Sequence, residues 1–239
     1  MSKLLKIAFI NFGGLSTGGT QKYLQTIAAN LNKALFQVDF LYCDSAPYKG
    51  VNFKPIDTDP TRLQYLKKNN IRLVKFHVDQ KDITDHHHKW LGSDFWNIFD
   101  EKDYDIVFAG RAGHPEYPFN LIKNIPIVDS LHLSAGVDNQ SNISKVIHLC
   151  QWNARKWIRS GGDARRVNVL YQPVEIQAYK KEDFRKKYGL ERTFNFGFHQ
   201  RNDNNIFSPF PLHAYSKIET PQTHFIILNG ADNYRKQAK

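Results

Sequence analysis

The chain has 239 residues, of which 41% are hydrophobic and 13% aromatic, so it can bury a large core and is not a disordered chain. No apolar run approaches the roughly 20 residues that cross a bilayer. The net charge is +10, and it is uneven: residues 1–144 carry 16 basic against 15 acidic side chains, whereas residues 145–239 carry 17 against 8. A basic half favours anionic partners, for which sugar-nucleotide phosphates, a membrane surface and nucleic acid are the candidates.

Cellular location is indicated by the cysteines and by the N-terminus. Cys43 and Cys150 are the two cysteines, and each ends an apolar run, which is typical of free buried thiols in a reducing compartment. The basic, apolar N-terminus has no small-residue cleavage site, so we interpret it as a first strand and expect a cytoplasmic protein. No helix-turn-helix, RNP or zinc-finger pattern accompanies the basic residues. Nucleic acid is therefore the least favoured partner, and peripheral binding to an anionic membrane surface stays open.

Residues 6–31 predict a buried strand, a glycine-rich loop and an amphipathic helix. The loop contains Gly13, Gly14, Gly18 and Gly19, and Thr17 or Thr20 is expected to cap the helix. A glycine loop that leads into a helix N-terminus presents free N–H groups, which favour an anion such as phosphate. The spacing matches neither G-x-G-x-x-G nor a Walker A loop. An ordinary strand–helix turn is the alternative.

The following segments alternate between predicted strands and helices. Strands are expected at residues 38–42, 71–76, 105–109, 125–131, 145–150 and 167–171, and helices at 61–69, 90–99, 119–123 and 152–160, with a loop at 46–59. This alternation predicts a Rossmann-like, mainly parallel α/β sheet up to about residue 172. Asp44 follows the second strand, where a dinucleotide-binding fold places its ribose-binding acid, so a nicotinamide-dependent oxidoreductase is one alternative. The consecutive histidines 86–88 predict a solvated turn and not a metal site.

Polar side chains follow two of these strands. Arg111 and His114 come after the strand at 105–109, and His132 comes after the strand at 125–131. The carboxyl ends of parallel strands are where open α/β sheets collect ligands. For Arg111 an ion pair with a neighbouring acid is an equally good interpretation, and for His132 a hydrogen-bonded loop position is the alternative.

Several of these segments together resemble one family. The pattern GG-x-S-x-GG-x-Q-K-Y-L at residues 13–24 resembles the opening of the family 4 glycosyltransferases of the GT-B fold, in which this loop faces the nucleotide-sugar phosphates. Thr20 and Gln21 stand where the family commonly has an acidic residue. His132 lies at the position of the family's histidine that faces the donor sugar. The stretch VLYQPVEI at residues 169–176 resembles the crossing from the first to the second Rossmann-like domain.

Residues 173–239 resemble the opening of the family's second domain. A helix ending at Gly189 is followed by strands at 194–198 and 224–229 with a helix at 209–218 between them, and Arg201 matches an arginine that binds the donor diphosphate. The accompanying lysine has no match, and the family's two glutamates separated by seven residues are absent. The resemblance thus covers nearly all of this chain and about the first two-thirds of the expected enzyme. We therefore expect an incomplete second Rossmann-like unit.

The resemblance implies a retaining glycosyltransferase with a nucleotide-diphosphate sugar as donor and no need for a metal or other cofactor. It assigns residues 1–172 to an acceptor-side domain and 173–239 to part of the nucleotide-sugar-binding domain. A glycan or a lipid-linked saccharide is the implied acceptor, and weak or absent transfer is expected. A non-catalytic remnant that binds sugar, nucleotide or a partner protein is the alternative. The implied site residues are Gly18, Gly19, Thr20 and Arg201 for the donor, His132 for the catalytic positioning of the sugar, and Arg111 and His114 on the acceptor side.

Overall fold

The structure is a computed structural model of the chain. It describes residues 3–11, 13–16, 18–48, 51–56, 58–132, 136–174, 184–199, 208–228 and 236. The chain divides into two compact units, residues 1–175 and 176–239. Within the described ranges, every helix is too short or too polar to cross a bilayer.

Unit 1 is built mainly from strands that alternate with helices. In chain order its elements are β1 (Leu5–Asn11), α1 (Gly19–Asn30), β2 (Phe36–Cys43), β3 (Ser45–Tyr48), β4 (Asn52–Pro55), α2 (Pro60–Lys68), β5 (Arg72–Phe76), β6 (Gln80–Asp82), β7 (Lys89–Leu91), α3 (Phe95–Ile98), β8 (Ile106–Ala109), β9 (Ile127–Leu131), β10 (Ile143–His148), α4 (Gln151–Arg159) and β11 (Val167–Val169). Short 3₁₀ turns at Glu101–Asp103, Phe119–Leu121 and Ala164–Arg166 connect some of them.

A seven-stranded sheet with the order β11-β10-β9-β8-β1-β2-β5 forms the centre of unit 1. All of its neighbouring strands pair in parallel. The interior strand β1 is buried on both faces, since Ile7 and Phe9 belong to one apolar cluster and Ala8 and Ile10 belong to the other. The predicted Rossmann-like, mainly parallel α/β fold is therefore confirmed.

Residues 45–91 differ from the sequence prediction. The expected loop at 46–59 contains β3 and β4, which pair with β6 and β7 in a small antiparallel sheet. The predicted helix at 90–99 is limited to α3, because Trp90 lies on β7, where its buried ring stacks on Phe76 and meets Phe95 edge to face. Aromatic packing thus outweighs the local helical pattern. The histidines 86–88 lie in a turn, as predicted.

Unit 2 contains a parallel strand pair. Its described elements are α5 (Phe184–Tyr188), β12 (Phe194–His199), α6 (Phe210–Tyr215) and β13 (Thr223–Leu228). The predicted strand–helix–strand order is confirmed. Gly189 has a φ of +66° just after α5, where Leu190 N donates to Arg185 O at 2.7 Å, so the predicted glycine cap is confirmed as well. The assignment of the two units to acceptor and donor stays a prediction.

Candidate functional site

The carboxyl ends of the parallel strands lie along one edge of the seven-stranded sheet, and most of the predicted site residues follow them. The loops after β1, β8 and β9 begin at this edge. A Cβ atom placed on Gly110 would lie 3.2 Å from Cδ1 of Leu24 and 3.3 Å from Cγ2 of Thr20. The first turns of α1 therefore pack directly against the loop after β8. This contact brings the predicted donor loop and the predicted acceptor-side loop next to each other.

The glycine loop after β1 needs glycine at its start. Gly13 and Gly14 have φ angles of +110° and +75°, which side chains with a Cβ rarely adopt. Directly behind them, Leu15 is fully buried. The loop is therefore a defined turn with an apolar anchor.

Hydrogen bonds from outside the loop occupy its carbonyl groups. Three consecutive carbonyl oxygens are held in this way: Gly14 O by Asn11 Nδ2 at 3.0 Å, Leu15 O by the Asp59 amide at 3.1 Å, and Ser16 O by Gln25 Nε2 at 3.2 Å. Gln25 is fully buried, and its Oε1 accepts from Nε of Arg62 at 2.6 Å. Because these three carbonyl groups already accept hydrogen bonds from the protein, the loop can present N–H groups to an anion.

Helix α1 begins without a side-chain cap. Gly18 is the N-cap residue and, as a glycine, has no capping side chain, while its own amide donates to Oγ of Ser16 at 3.5 Å. Thr20 lies inside the first turn, so the expectation that it caps the helix is wrong; Thr17 lies outside the described residues. A Cβ on Gly19 would meet nothing within 4 Å, whereas a Cβ on Gly18 would lie 2.4 Å from Oε1 of Gln21. The backbone at Gly19 thus faces open space, and the Gln21 amide covers Gly18.

His132 is half-buried and is held by two neighbours. Its ring packs edge to face against Tyr23 of α1, with 4.6 Å between the ring centroids, and its Nε2 is 3.3 Å from Oγ of Ser130. Burial lowers the pKa of His132, so the imidazole is neutral at neutral pH. A neutral ring next to the start of α1 can exchange hydrogen bonds with a sugar hydroxyl but adds no positive charge.

Arg111 is enclosed in the protein and pairs with two buried carboxylates. Its side chain has no exposed surface, and its guanidinium bonds to Asp129 through Nη2 at 2.9 Å and to Asp138 through Nη1 at 2.7 Å. Nη1 also donates to the carbonyl of His114 at 3.2 Å. The ion-pair interpretation of Arg111 is therefore confirmed, because buried carboxylates engage two of its nitrogens; its place on the acceptor side stays a prediction.

The acids around Arg111 differ in their acidity. Burial raises the pKa of Asp129 despite the guanidinium beside it. At Asp138 burial also opposes ionisation, but the bonds from Arg111 and Gln140 outweigh it and lower the pKa. Glu116, which accepts from the amide of Ala112 at 3.2 Å, has its pKa raised by burial. These interactions fix the loop after β8, and the exposed His114 is the predicted acceptor-side residue that faces solvent.

Sequence reasoning did not identify the residues that brace these two loops. Asp129 lies in the apolar stretch IPIVDSL, and a carboxylate in a buried strand is the signal that predicts a buried cation partner. Asn11 and Gln25 gave weaker signals, since a polar residue on an apolar strand or helix face is common. The braces are Asn11, Gln25 and Asp59 for the glycine loop, and Glu116, Asp129 and Asp138 for the loop after β8.

A second polar cluster lies where β2 and β5 end. His77 contacts Asp44 through Nδ1 at 3.0 Å and Asp79 through Nε2, and Nζ of Lys75 is 3.6 Å from Asp44. Hydrogen bonds to the two carboxylates raise the pKa of His77. Asp44 is thus engaged by the His77 ring and the Lys75 ammonium, which weakens the dinucleotide interpretation.

Other features lie away from the glycine loop or outside what the structure describes. Arg201 lies outside the described residues. Within the described ranges, no three His, Cys, Asp or Glu side chains are arranged to hold a metal ion, and a metal-free reaction stays a prediction. Two surface clefts of about 680 and 310 Å³ open near Tyr104, at the amino-terminal edge of the sheet. We place the candidate site at the opposite edge, where the helix amides and His132 lie.

Comparisons with known proteins find structural likeness alone. No protein-family profile and no curated protein sequence matches the chain. A structure of Alr3699/HepE from Anabaena in complex with UDP is 18% identical, with a TM-score of 0.62, and the likeness covers 98% of this chain and 64% of that one. A glycosyltransferase from Rickettsia africae is 12% identical, with a TM-score of 0.62 and coverage of 100% and 64%. The lipopolysaccharide outer core galactosyltransferase WaaB is 14% identical, with a TM-score of 0.57 and coverage of 98% and 64%.

These comparisons bear on the fold and on the extent of the chain. The chain spans 64% of the length of each of these three proteins. Identities of 12–18% carry no residue-by-residue assignment, but TM-scores of this size describe a shared architecture. The chain has the Rossmann-like α/β fold of the GT-B glycosyltransferases.

Proposed function

We propose that this protein is a glycosyltransferase of the family 4 type that takes a sugar from a nucleotide-diphosphate donor. The observation that carries the proposal is the glycine loop: its carbonyl groups are bonded away, its helix begins without a side-chain cap, and a neutral His132 lies beside that helix. One protein of the same fold, Alr3699/HepE, holds UDP in one solved structure and UDP-glucose in another. UDP is therefore the first nucleotide to test.

The proposed reaction depends on stabilising the departing diphosphate. The bond between the anomeric carbon and the diphosphate oxygen breaks, and the acceptor hydroxyl oxygen bonds to the same face of that carbon, which retains the configuration. The proton of that hydroxyl passes to the departing diphosphate oxygen. Negative charge then develops on the diphosphate, where the backbone amides at the start of α1, at Gly18 and Gly19, stabilise it. Thr20 belongs to the same turn. Arg201 is assigned to the donor diphosphate by the sequence resemblance alone.

His132 and His114 have separate roles in this proposal. The neutral imidazole of His132 hydrogen-bonds to the donor sugar and orients it, which favours reaction by positioning. The exposed His114, in the braced loop after β8, contacts the acceptor, a glycan or a lipid-linked saccharide. Retention, the family 4 assignment and the acceptor class rest on the sequence resemblance.

A thermal-shift panel with UDP, ADP, GDP and NAD tests the donor site. A ligand at 100 times its Kd stabilises the fold by about 2.7 kcal/mol, which for a chain of this size raises the unfolding midpoint by roughly 5–10 °C. We expect this shift for one nucleoside diphosphate. Stabilisation by NAD alone contradicts the proposal and favours the oxidoreductase.

Graded variants at Gly19 locate the site. A Cβ there meets no protein atom within 4 Å, so Gly19→Ala and Gly19→Val keep the fold but place one or three carbons where the ligand would approach. Ligand-induced stabilisation should fall from Gly to Ala to Val, and a full shift in Gly19→Val places the nucleotide elsewhere.

A preparation that binds the nucleotide but releases no sugar from the donor favours the non-catalytic alternative.

A further inference from the structure

Helix α4 has two faces of opposite character. Ala154 and Trp157 are buried beneath it. Four residues at the helical spacing i, i+3, i+4 and i+7 line the opposite face and are all exposed: Trp152, Arg155, Lys156 and Arg159. We name these four residues the α4 basic face.

The charge on this face is not neutralised. Residues 145–174 contain six bases and one acid, Asp163. Asp163 is engaged by Arg165, with 2.9 Å between Nη2 and Oδ2, and by Arg166 at 3.7 Å. In the part of the chain that the structure describes, none of the three bases of the α4 basic face forms an ion pair. With respect to the described residues, the face therefore presents three positive charges without an ion-pair partner within two helical turns.

The two tryptophans of α4 differ in their exposure and in their contacts. Trp157 is 3% exposed, and its Nε1 donates to the carbonyl of Gly136 at 3.1 Å. Trp157 is therefore a core residue that packs α4 against the sheet. Trp152 is 66% exposed, and its ring contacts Nζ of Lys156, 5.3 Å from the ring centroid. An indole held in water among cations suits a boundary that is apolar on one side and polar on the other.

We propose that the α4 basic face docks on a bilayer rich in anionic lipids. Lipid phosphates pair with Arg155, Lys156 and Arg159, and Trp152 enters at the depth of the headgroups, as indoles do at membrane interfaces. A single-stranded nucleic acid is less well suited, because its binding sites are grooves with several stacked aromatic rings, and this face is one convex helix with one indole. The docking does not depend on glycosyl transfer.

Flotation of the full chain with vesicles tests this surface. We expect binding to phosphatidylcholine vesicles that contain phosphatidylglycerol, no binding to phosphatidylcholine alone, and a loss of binding as salt is raised. Each base near an anionic surface strengthens binding about fivefold. The triple variant Arg155→Gln/Lys156→Gln/Arg159→Gln should therefore bind roughly a hundredfold more weakly, and Trp152→Ala should weaken binding without changing the charge.

A matched triple variant separates this face from net charge. Lys67→Gln/Lys68→Gln/Lys123→Gln removes three exposed bases elsewhere on unit 1 and should keep most of the binding. Equal losses in the two triple variants, or no binding of the wild-type chain to anionic vesicles, overturn the proposal. So does tight binding of a single-stranded oligonucleotide that Trp152→Ala abolishes while vesicle binding is unchanged. Unfolding midpoints of all variants should match the wild type, because the substituted side chains are exposed.

Discussion

The loops that follow β1 and β8 begin at the same edge of the sheet, and the helix after the first packs against the second, yet the two loops use their polar groups in opposite ways. The loop after β8 contains a charged side chain, Arg111, whose guanidinium is directed inward to Asp129 and Asp138. The glycine loop after β1 has no charged side chain, and its neighbours hold its carbonyl groups. Its free polar groups are backbone amides at the start of α1.

This difference changes which loop is expected to recognise a ligand. A buried arginine between two carboxylates stabilises the fold and its own loop, because the cost of burying each charge is offset only while its partner is present. Backbone amides at a helix start cost little to leave exposed to water and bind an anion when one arrives. The uncharged loop is therefore the better candidate for a phosphate.

Removal of Arg111 should have the largest effect on stability. Arg111→Met leaves Asp129 and Asp138 buried without a cation, which costs about 3–5 kcal/mol and lowers the unfolding midpoint by roughly 10 °C. Calorimetry measures this loss, and Arg111→Met/Asp129→Asn/Asp138→Asn should recover part of it. An unchanged midpoint with lost nucleotide binding would instead assign Arg111 to the ligand.

Gln25 tests how the glycine loop is held. Gln25→Leu deprives Ser16 O and Nε of Arg62 of their hydrogen bonds, at a cost of about 1–3 kcal/mol, and should also weaken nucleotide binding because the loop loses one brace. Asn30→Ala, on the exposed end of the same helix, removes the bonds to Thr26 O and to the Tyr65 hydroxyl but none to the glycine loop, and it serves as the control. A Gln25 variant that is less stable but binds the nucleotide normally would show that the brace does not serve the site.

His148 should make the fold sensitive to acid. It is buried, no hydrogen bond to either ring nitrogen exists among the described residues, and burial lowers its pKa. As the pH falls below about 6.5, His148 is protonated in the unfolded chain but stays neutral in the folded chain. Stability should then fall by up to about 1.4 kcal/mol per pH unit until the folded pKa is reached. Urea midpoints at pH 7 and pH 5 measure this slope, which His148→Leu should flatten and the exposed control His86→Leu should not.

His132 should have the smallest effect on stability and a separate effect on turnover. His132→Ala removes the ring contact with Tyr23, worth about 0.5–1.5 kcal/mol, and should lower sugar transfer or donor hydrolysis well beyond what that loss explains. His132→Asn keeps a hydrogen-bonding side chain and should restore part of the activity. Full activity in His132→Ala with a lower midpoint would give the histidine a purely structural role.

The sequence predicts the backbone framework of unit 1 well, since strands such as β1 and helices such as α2 have clear periodic patterns and end signals. It does not predict the small sheet of β3, β4, β6 and β7, because the stacking of Trp90 on Phe76 is a long-range contact. For the same reason it could not decide whether Arg111 faces inward: Asp129 and Asp138 lie 18 and 27 residues away along the chain. Glycines and strand ends are local signals, whereas partners of a side chain are not.

The edge-to-face contact between Tyr23 and His132 also makes the His132 ring an NMR reporter of helix position inside the candidate site. Protons of the imidazole lie in the ring current of a tyrosine that belongs to α1, so their NMR frequencies depend on the distance and tilt between the helix and the end of β9. Tyr23 lies four residues after Gly19 on that helix. A displacement of α1 of a few tenths of an ångström would therefore register in the spectrum of a single histidine, without a label near the nucleotide.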